Sequence, residues 1–304
     1  MTSTPTGSTR FSDVHLHLQD TRFGKSMEEV TAVLTRARAR GAEKFVVAAT
    51  SPGDWNKVCQ IGRANHDVYV MLGSHPWHFG LVYGDWQGAL ENLLDSYVGS
   101  DGVSRAGLGE VGLDFAIRDC DELTRKNQIE ALRFQLDLAN TRALPVALHC
   151  VRANDEILKI MRDYTNVPAW LLHGWHGSVR QIQEAVELGA FFSFSARSVS
   201  PNSIRTHETI VQVPRDRILL ESDSPYPLPP NGYAGMPAER PTVMVQARDE
   251  QGRLLSEPSY LPATAEAIAK LRKIPVQEFY RQLNLNERRF FLYWPRADKE
   301  NSVK

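Results

Sequence analysis

Eight short apolar segments, separated by longer segments with helical periodicity, constrain the fold of this chain most strongly. They are FSDVHLH, KFVVAAT, VYVMLGS, SRAGLGE, PVALH, AWLLH, AFFSFS and RILLESD. Amphipathic helices are predicted between them, from apolar side chains spaced three and four apart, at residues 26–40, 86–98, 121–141, 153–164 and 178–188. This alternation predicts a single α/β domain, a parallel (β/α)8 barrel of the TIM type. An open, doubly wound sheet is the alternative.

The predicted barrel occupies residues 11–291, between a lead-in at residues 1–10 and a tail at residues 292–304. The lead-in, MTSTPTGSTR, has one basic residue and no apolar core, so it indicates a disordered start and not a secretory signal. No apolar run approaches the ~20 residues that a membrane helix needs. We therefore expect a cytoplasmic protein without a membrane partner, and no obligate protein partner is indicated.

One segment interrupts the regular alternation. Residues 224–262 are rich in Pro and Gly and too long for an ordinary connection. Such segments are usually functional or disordered, so this one is expected to border the mouth of the barrel and to limit substrate size. Two helices are predicted after it, at about residues 263–273 and 276–291.

Metal-binding residue types recur where the predicted strands end. Six of them are His15, His17, Glu110, His149, His173 and Asp223. Because the carboxyl ends of barrel strands form one face, these side chains are expected to converge at one mouth. Imidazole and carboxylate groups suit divalent ions such as Zn²⁺ or Mn²⁺. Six ligands exceed the needs of one tetrahedral zinc, so they favour two ions that share a bridging carboxylate.

Each residue has an ordinary alternative when it is taken alone. A single His at a strand end is more often a satisfied polar residue than a ligand. Glu110 is equally compatible with a salt bridge, and Asp223 with a helix cap before Pro225. The repetition of such residues on different strands, at one structural level, favours the metal site over these alternatives.

Several motifs around these residues resemble the TatD family of metal-dependent deoxyribonucleases, within the amidohydrolase-like metal barrels. The matching segments are DVHLHLQD, GSHPW, GEVGLDF, QLDLA, LPVALHC, LLHGWHGS, FFSFS and LLESDSPY, over roughly residues 11–230. SEPSYLP and NERRFF extend the likeness to about residue 291. GEVGLDF and ESDSPY are the most specific of these segments.

The resemblance implies a hydrolase that acts on DNA ends, with single-stranded or 3′ ends as its substrates. It implies that one ion is held by His15, His17, Glu110 and Asp223, and that Glu110 bridges to a second ion held by His149 and His173. Two divalent ions (Mg, Mn or Zn) would activate a water for attack on phosphorus. Asp223 is placed to act as general base, with Glu110 as the second catalytic residue.

The segments that would contact substrate depart from the family pattern. The family has an Arg two residues after the fifth-strand His; here Val151 takes that position and Arg152 follows. After the sixth-strand His, Gly174 and Trp175 stand where the family has a Cys-Phe pair, and Ser256 replaces the usual Asn before EP. The resemblance therefore supports a metallohydrolase more firmly than it supports DNA as substrate. A small-molecule hydrolase of amides, lactones or phosphomonoesters, or a non-enzymatic scaffold, is the alternative.

Further residues are candidates for substrate binding or ligand orientation. The binding candidates are His75, His78, Arg152, Trp175, His176 and Ser178. The histidines in GSHPWHFG are equally compatible with loop packing, Trp175 with a core anchor, and Ser178 with a helix cap. Asp13 lies two residues before His15 on the same strand face, so it is expected to orient a metal ligand.

Overall fold

A computed structural model describes residues 9–23, 25–78, 84–97, 105–228 and 248–294 of the chain. The strands are β1 Phe11–Leu16, β2 Ala42–Ala48, β3 Val68–Leu72, β4 Ala106–Asp114, β5 Val146–Val151, β6 Trp170–His173, β7 Phe191–Phe194 and β8 Ile218–Leu220. The helices are α1 Met27–Ala39, α2 Trp55–Ala64, α3 Trp86–Ser96, α4 Glu122–Arg142, α5 Asn154–Met161, α6 Val179–Glu187, α7 Ile204–Gln212, α8 Leu261–Leu271 and α9 Val276–Leu292.

Each strand pairs in parallel with the next one in the chain, in the order β1 to β8. Two backbone hydrogen bonds bring the end of this sheet back to its beginning. The amide of Asp223 donates to the carbonyl of His15 at 3.1 Å, and the amide of His17 donates to that of Ser224 at 2.7 Å. The predicted (β/α)8 barrel is confirmed, and the doubly wound sheet is excluded.

Two strand boundaries differ from those predicted. Strand β4 continues past Glu110 to Asp114, so Glu110 lies within the strand and not at its end. Strand β8 stops at Leu220, and Asp223 then adopts a left-handed backbone conformation with φ of 50°. A bend at that point replaces the straight strand end that RILLESD indicated.

The core lies between the strands and the surrounding helices, where apolar side chains of both are buried. The helices α8 and α9 follow the long Pro- and Gly-rich segment as predicted. Residues 229–247 of that segment, like residues 1–8 and 295–304, lie outside the described part of the chain. Its described ends pair with each other, since the amide of Leu228 donates to the carbonyl of Leu254 at 2.8 Å. None of the helices in the described ranges has the length and apolarity to cross a bilayer.

Candidate metal centre

The carboxylate of Glu110 lies at the centre of the barrel mouth, where imidazoles surround both of its oxygens. Its Oε2 is 3.3 Å from Nε2 of His15 and 3.4 Å from Nε2 of His17. Its Oε1 is 2.9 Å from Nδ1 of His149 and 2.7 Å from Nε2 of His173. One buried carboxylate therefore contacts histidines from three other strands or their ends.

Asp223 and His75 complete this cluster. Oδ1 of Asp223 lies 3.7 Å from Nε2 of His17, on the side of the cavity. Nε2 of His75 lies 3.2 Å from Oε1 of Glu110, so a residue predicted to bind substrate lies as close to this carboxylate as the predicted ligands do. The structure thus brings all six predicted ligands together and adds His75 as a seventh residue that could hold a metal ion.

The donor set suits divalent cations. Three sets of three residues could each hold a cation, because the ligand atoms within a set lie within 4.8 Å of one another. The sets are His15, Glu110 and His173; His15, His17 and Asp223; and His75, Glu110 and His149. Both ring nitrogens of His15 are buried and have no hydrogen-bond partner in the described structure. A buried polar atom without a hydrogen-bond partner is costly. A cation bound at Nε2, the nitrogen that faces Glu110, would remove that cost for this atom.

The pKa values of the histidines follow from burial and from the carboxylate between them. Burial, with the neighbouring His173, lowers the pKa of His15 to about 3, and burial lowers that of His75 to about 4. Burial also opposes charge on His17 and His173, but Glu110 outweighs it and raises their pKa values to about 9 and about 10. The attraction between the Glu110 carboxylate and the surrounding imidazoles therefore dominates the electrostatics of the cluster.

Carbonyl and carboxylate groups outside the cluster lie behind three of its rings. His17 Nδ1 donates to the carbonyl of Ala48 at 2.8 Å, which leaves Nε2 free to face the cluster. His149 presents Nδ1 to the cluster, and its Nε2 lies 3.3 Å from Oδ2 of Asp114. Nδ1 of His173 makes no hydrogen bond within the described residues and lies 3.8 Å from Oε2 of Glu221, an ion-pair distance. A carboxylate or carbonyl behind the ring is the usual support of a metal-binding histidine.

Asp114 and Glu221 were not identified as site residues from the sequence. Asp114 lies four residues after Glu110, and Glu221 two residues before Asp223, inside the motifs GEVGLDF and LLESDSPY. Even spacing along an extended chain places residues on one face. That spacing was the signal that could have found them.

Two buried glutamines of α4 hold the backbone on either side of the cluster. The Gln135 amide accepts from the amide of Ser74 at 2.7 Å and donates to its carbonyl at 3.3 Å. The Gln128 amide accepts from the amide of Asp114 at 2.8 Å and donates to its carbonyl at 3.1 Å. Because Ser74 precedes His75, α4 positions both His75 and Asp114.

Asp13 lies beneath the cluster and is fully buried. Its Oδ1 accepts from the amide of Ser222 at 2.9 Å and from that of His15 at 3.3 Å. Burial raises the pKa of this carboxyl to about 7. Asp13 therefore links the backbone of β1 to the segment that carries Asp223.

Gly112 allows the close approach of β4 to β5 beside the cluster. Its φ is 147°, and a Cβ atom at this position would overlap the carbonyl oxygen of His149. A larger residue would separate the strands at the point where His149 reaches Glu110.

The cluster opens into a cavity of about 430 Å³, whose lining includes His75, His78, Trp77 and Tyr226. Drug-sized ligands occupy cavities of roughly 300–1,000 Å³, so the space suits a small molecule or one terminal nucleotide. Both histidines of GSHPWHFG therefore face the space that a substrate would enter.

The other predicted substrate contacts lie elsewhere. Arg152, His176 and Ser178 line a second cavity of about 650 Å³. The Ser178 hydroxyl also accepts from the amide of Gln181 and caps α6. Trp175 is buried, and its indole N–H donates to Oδ1 of Asn154 at 3.1 Å. Their role in substrate binding stays a prediction.

A family model described as TatD related DNase matches residues 12–292 of the chain. The chain belongs to the TatD-related DNase family. It is 28% identical over 281 residues to the 3′-5′ ssDNA/RNA exonuclease TatD of Klebsiella pneumoniae, with 92% of this chain and 97% of that protein covered. It is 30% identical over 228 residues to YjjV of Escherichia coli K12, an uncharacterized metal-dependent hydrolase, with 75% and 84% covered.

Solved structures agree with this assignment to the TatD family. The crystal structure of YjjV, a TatD homologue from Escherichia coli, is 26% identical, covers 93% of this chain and 98% of its own, and has a TM-score of 0.73. A TatD family hydrolase from Entamoeba histolytica, 19% identical with 94% and 99% covered, shares the fold at a TM-score of 0.77. The TatD-family chain is thus a metal-dependent hydrolase on a (β/α)8 barrel.

Proposed function

We propose that this protein is a divalent-metal-dependent phosphodiesterase that removes nucleotides from the ends of single-stranded DNA. The observation that carries the proposal is the position of Glu110, whose two oxygens each face separate imidazoles at 2.7–3.4 Å. A carboxylate that offers one oxygen to each of two ligand sets is suited to bridge two cations.

The two cations are Mg²⁺, Mn²⁺ or Zn²⁺ in this proposal. His15, His17 and Asp223 with Oε2 of Glu110 would hold one, and His149 and His173 with Oε1 would hold the other. Bound there, the ions would act as Lewis acids toward a phosphoryl oxygen and toward the attacking water.

The side chains of the chain supply the remaining steps. Asp223 faces the cavity beside His17, at the edge of the cluster, so its carboxylate is placed to accept a proton from the attacking water. His75 and His78, which line the same cavity, would donate hydrogen bonds to the phosphate of the substrate. Asp114 and Glu221 would keep the rings of His149 and His173 in orientation.

The size of the cavity supports action at strand ends. A space of about 430 Å³ accommodates one nucleotide better than a continuous strand. The formal net charge of −1 agrees with this, since it provides no broad basic surface for a duplex. The name of the Klebsiella relative, an exonuclease of single-stranded DNA and RNA, lends further support.

The test is release of mononucleotides from an oligonucleotide labelled at one end. Protein stripped of metal and reloaded with Mg²⁺, Mn²⁺ or Zn²⁺ should shorten single-stranded DNA one nucleotide at a time, and label at the 5′ or 3′ end should reveal the polarity. An absence of cleavage with every metal would refute the nuclease. Cleavage of an amide, lactone or phosphomonoester in its place would favour the small-molecule hydrolase, which the size of the cavity equally accommodates.

A further inference from the structure

Trp77 and Trp175, which follow β3 and β6, differ sharply in exposure. Trp175 is 2% exposed and packs against Phe192, with ring centroids 5.4 Å apart. Trp77 is 55% exposed and lines the cavity above the metal cluster. Trp is usually well buried in folded proteins. An indole that faces solvent at the mouth of the site is therefore a candidate for contact with a bound ligand.

Trp77 is nevertheless held in one orientation. Its indole N–H donates to Oδ2 of Asp114 at 2.7 Å, and the same oxygen lies 3.3 Å from Nε2 of His149. Asp114 therefore fixes the orientation of the indole beside the cluster.

The faces of this indole are not covered by a stacked ring within the described residues. The imidazoles of His75 and His149 meet it at 72° and 70°, with centroids 4.7 and 6.1 Å away. Tyr226, another exposed aromatic residue in the cavity lining, differs in this respect, because the guanidinium of Arg197 lies 4.5 Å above its ring.

We propose that Trp77 is a stacking platform for the nucleobase of the terminal nucleotide whose phosphodiester bond is cleaved. This inference rests on the proposed function and specifies how that site recognises its substrate. The His149 ring that faces Glu110 is adjacent to the indole, so a phosphate at the cluster and a base on Trp77 can belong to one nucleotide. An indole fixed before binding loses little entropy when a base stacks on it.

Stacking on Trp77 has a consequence for specificity. Every nucleobase has a π-face, so an aromatic platform binds all four bases with modest differences. The enzyme is therefore expected to tolerate any sequence at the strand end, but to require that the terminal nucleotide carry a base.

The test compares two single-stranded oligonucleotides that differ only at the terminal nucleotide, which is either thymidine or an abasic analogue. With the wild-type protein, KM should be lower for the thymidine end. W77A should raise KM for that end by roughly 5- to 100-fold, as expected for one lost base stack, and leave the abasic end nearly unchanged. W77F, which keeps an aromatic ring, should restore part of the difference. Y293A, at an exposed aromatic outside the cavity lining, is the matched control.

Equal losses on both ends would overturn the proposal, because Trp77 would then act only through Asp114 and the metal cluster. No loss on either end would also overturn it. A binding measurement tests the stacking independently of cleavage, with Ca²⁺ in place of the other divalent ions. The fluorescence of a 2-aminopurine at the end of a single-stranded oligonucleotide should be quenched by the wild-type protein and W77F, and much less by W77A. Quenching that is identical in W77A contradicts the stacking even if the protein cleaves no DNA.

Discussion

Replacement of Asp223 by Asn separates proton transfer from metal binding at this site. The two side chains are nearly equal in size, and Asn can still coordinate a cation through its amide oxygen. Asp223 has φ of 50°, and Asn is among the few residues that adopt this left-handed conformation readily. The substitution should therefore leave both the bend after β8 and the position of the side chain intact.

The expected loss is in the chemical step. Loss of a positioned general base costs about 10²–10⁴-fold in rate, which corresponds to about 2.7–5.4 kcal/mol in the activation barrier. Because the proton moves in the transition state, kcat should fall much more than KM changes. Asp223→Ala should add a structural cost of about 1–2 kcal/mol, since Ala lacks the tolerance of Asn for this backbone conformation.

The assay is steady-state hydrolysis of an end-labelled oligonucleotide, with the metal content of each protein measured by elemental analysis. Thermal unfolding of the three proteins checks that Asp223→Asn is folded and that Asp223→Ala is less stable. A rate within a few-fold of wild type, at equal metal content, would contradict the assigned role. Asp223 would then be a ligand or a cap, for which Asn is an adequate replacement.

Three further changes test the surrounding structure. Glu110→Ala should reduce the cation content at both positions, because both oxygens face imidazoles; elemental analysis that finds one ion retained would make Glu110 a terminal ligand. Burial raises the pKa of Glu287 to about 8, so its contribution to stability is present below about pH 4.5 and is lost as pH rises toward 8. Glu287→Gln should flatten that decline, which is at most about 1.4 kcal/mol per pH unit, in denaturant titrations. Gly112→Ala should abolish activity and destabilise the barrel because of the overlap with His149, whereas Gly189→Ala, also at positive φ but with open space, should have a much smaller effect in the same assays.

Much of the site could be predicted because strand periodicity and barrel topology together determine where a strand-end residue lies. His15, His149 and His173 were expected at one mouth on that basis, and the structure places each within 3.3 Å of Glu110. The extra length of β4 was not apparent, because GEVGLDF contains two glycines and only one β-branched residue, Val111. Asp114, at the end of that extension, was missed for this reason.

Loop conformation was the second part that the sequence could not provide. His75 was placed on a loop with no defined distance to the metal residues, whereas a short 3-10 turn at Pro76–His78 follows it and its ring lies beside Glu110. The contrast between Trp77 and Trp175 has the same origin. Trp77 lies five residues after β3 and Trp175 two residues after β6, and only tertiary packing determines which indole is buried.

The two glutamines of α4 set the distance between two backbone segments at the barrel mouth. Gln128 and Gln135 are seven residues apart, which is about two helical turns and about 10 Å along the axis. They hold the backbone at Asp114, the last residue of β4, and at Ser74, so this stretch of helix sets the distance between these two points. One residue inserted between the two glutamines would rotate one amide by about 100° away from the backbone that it holds.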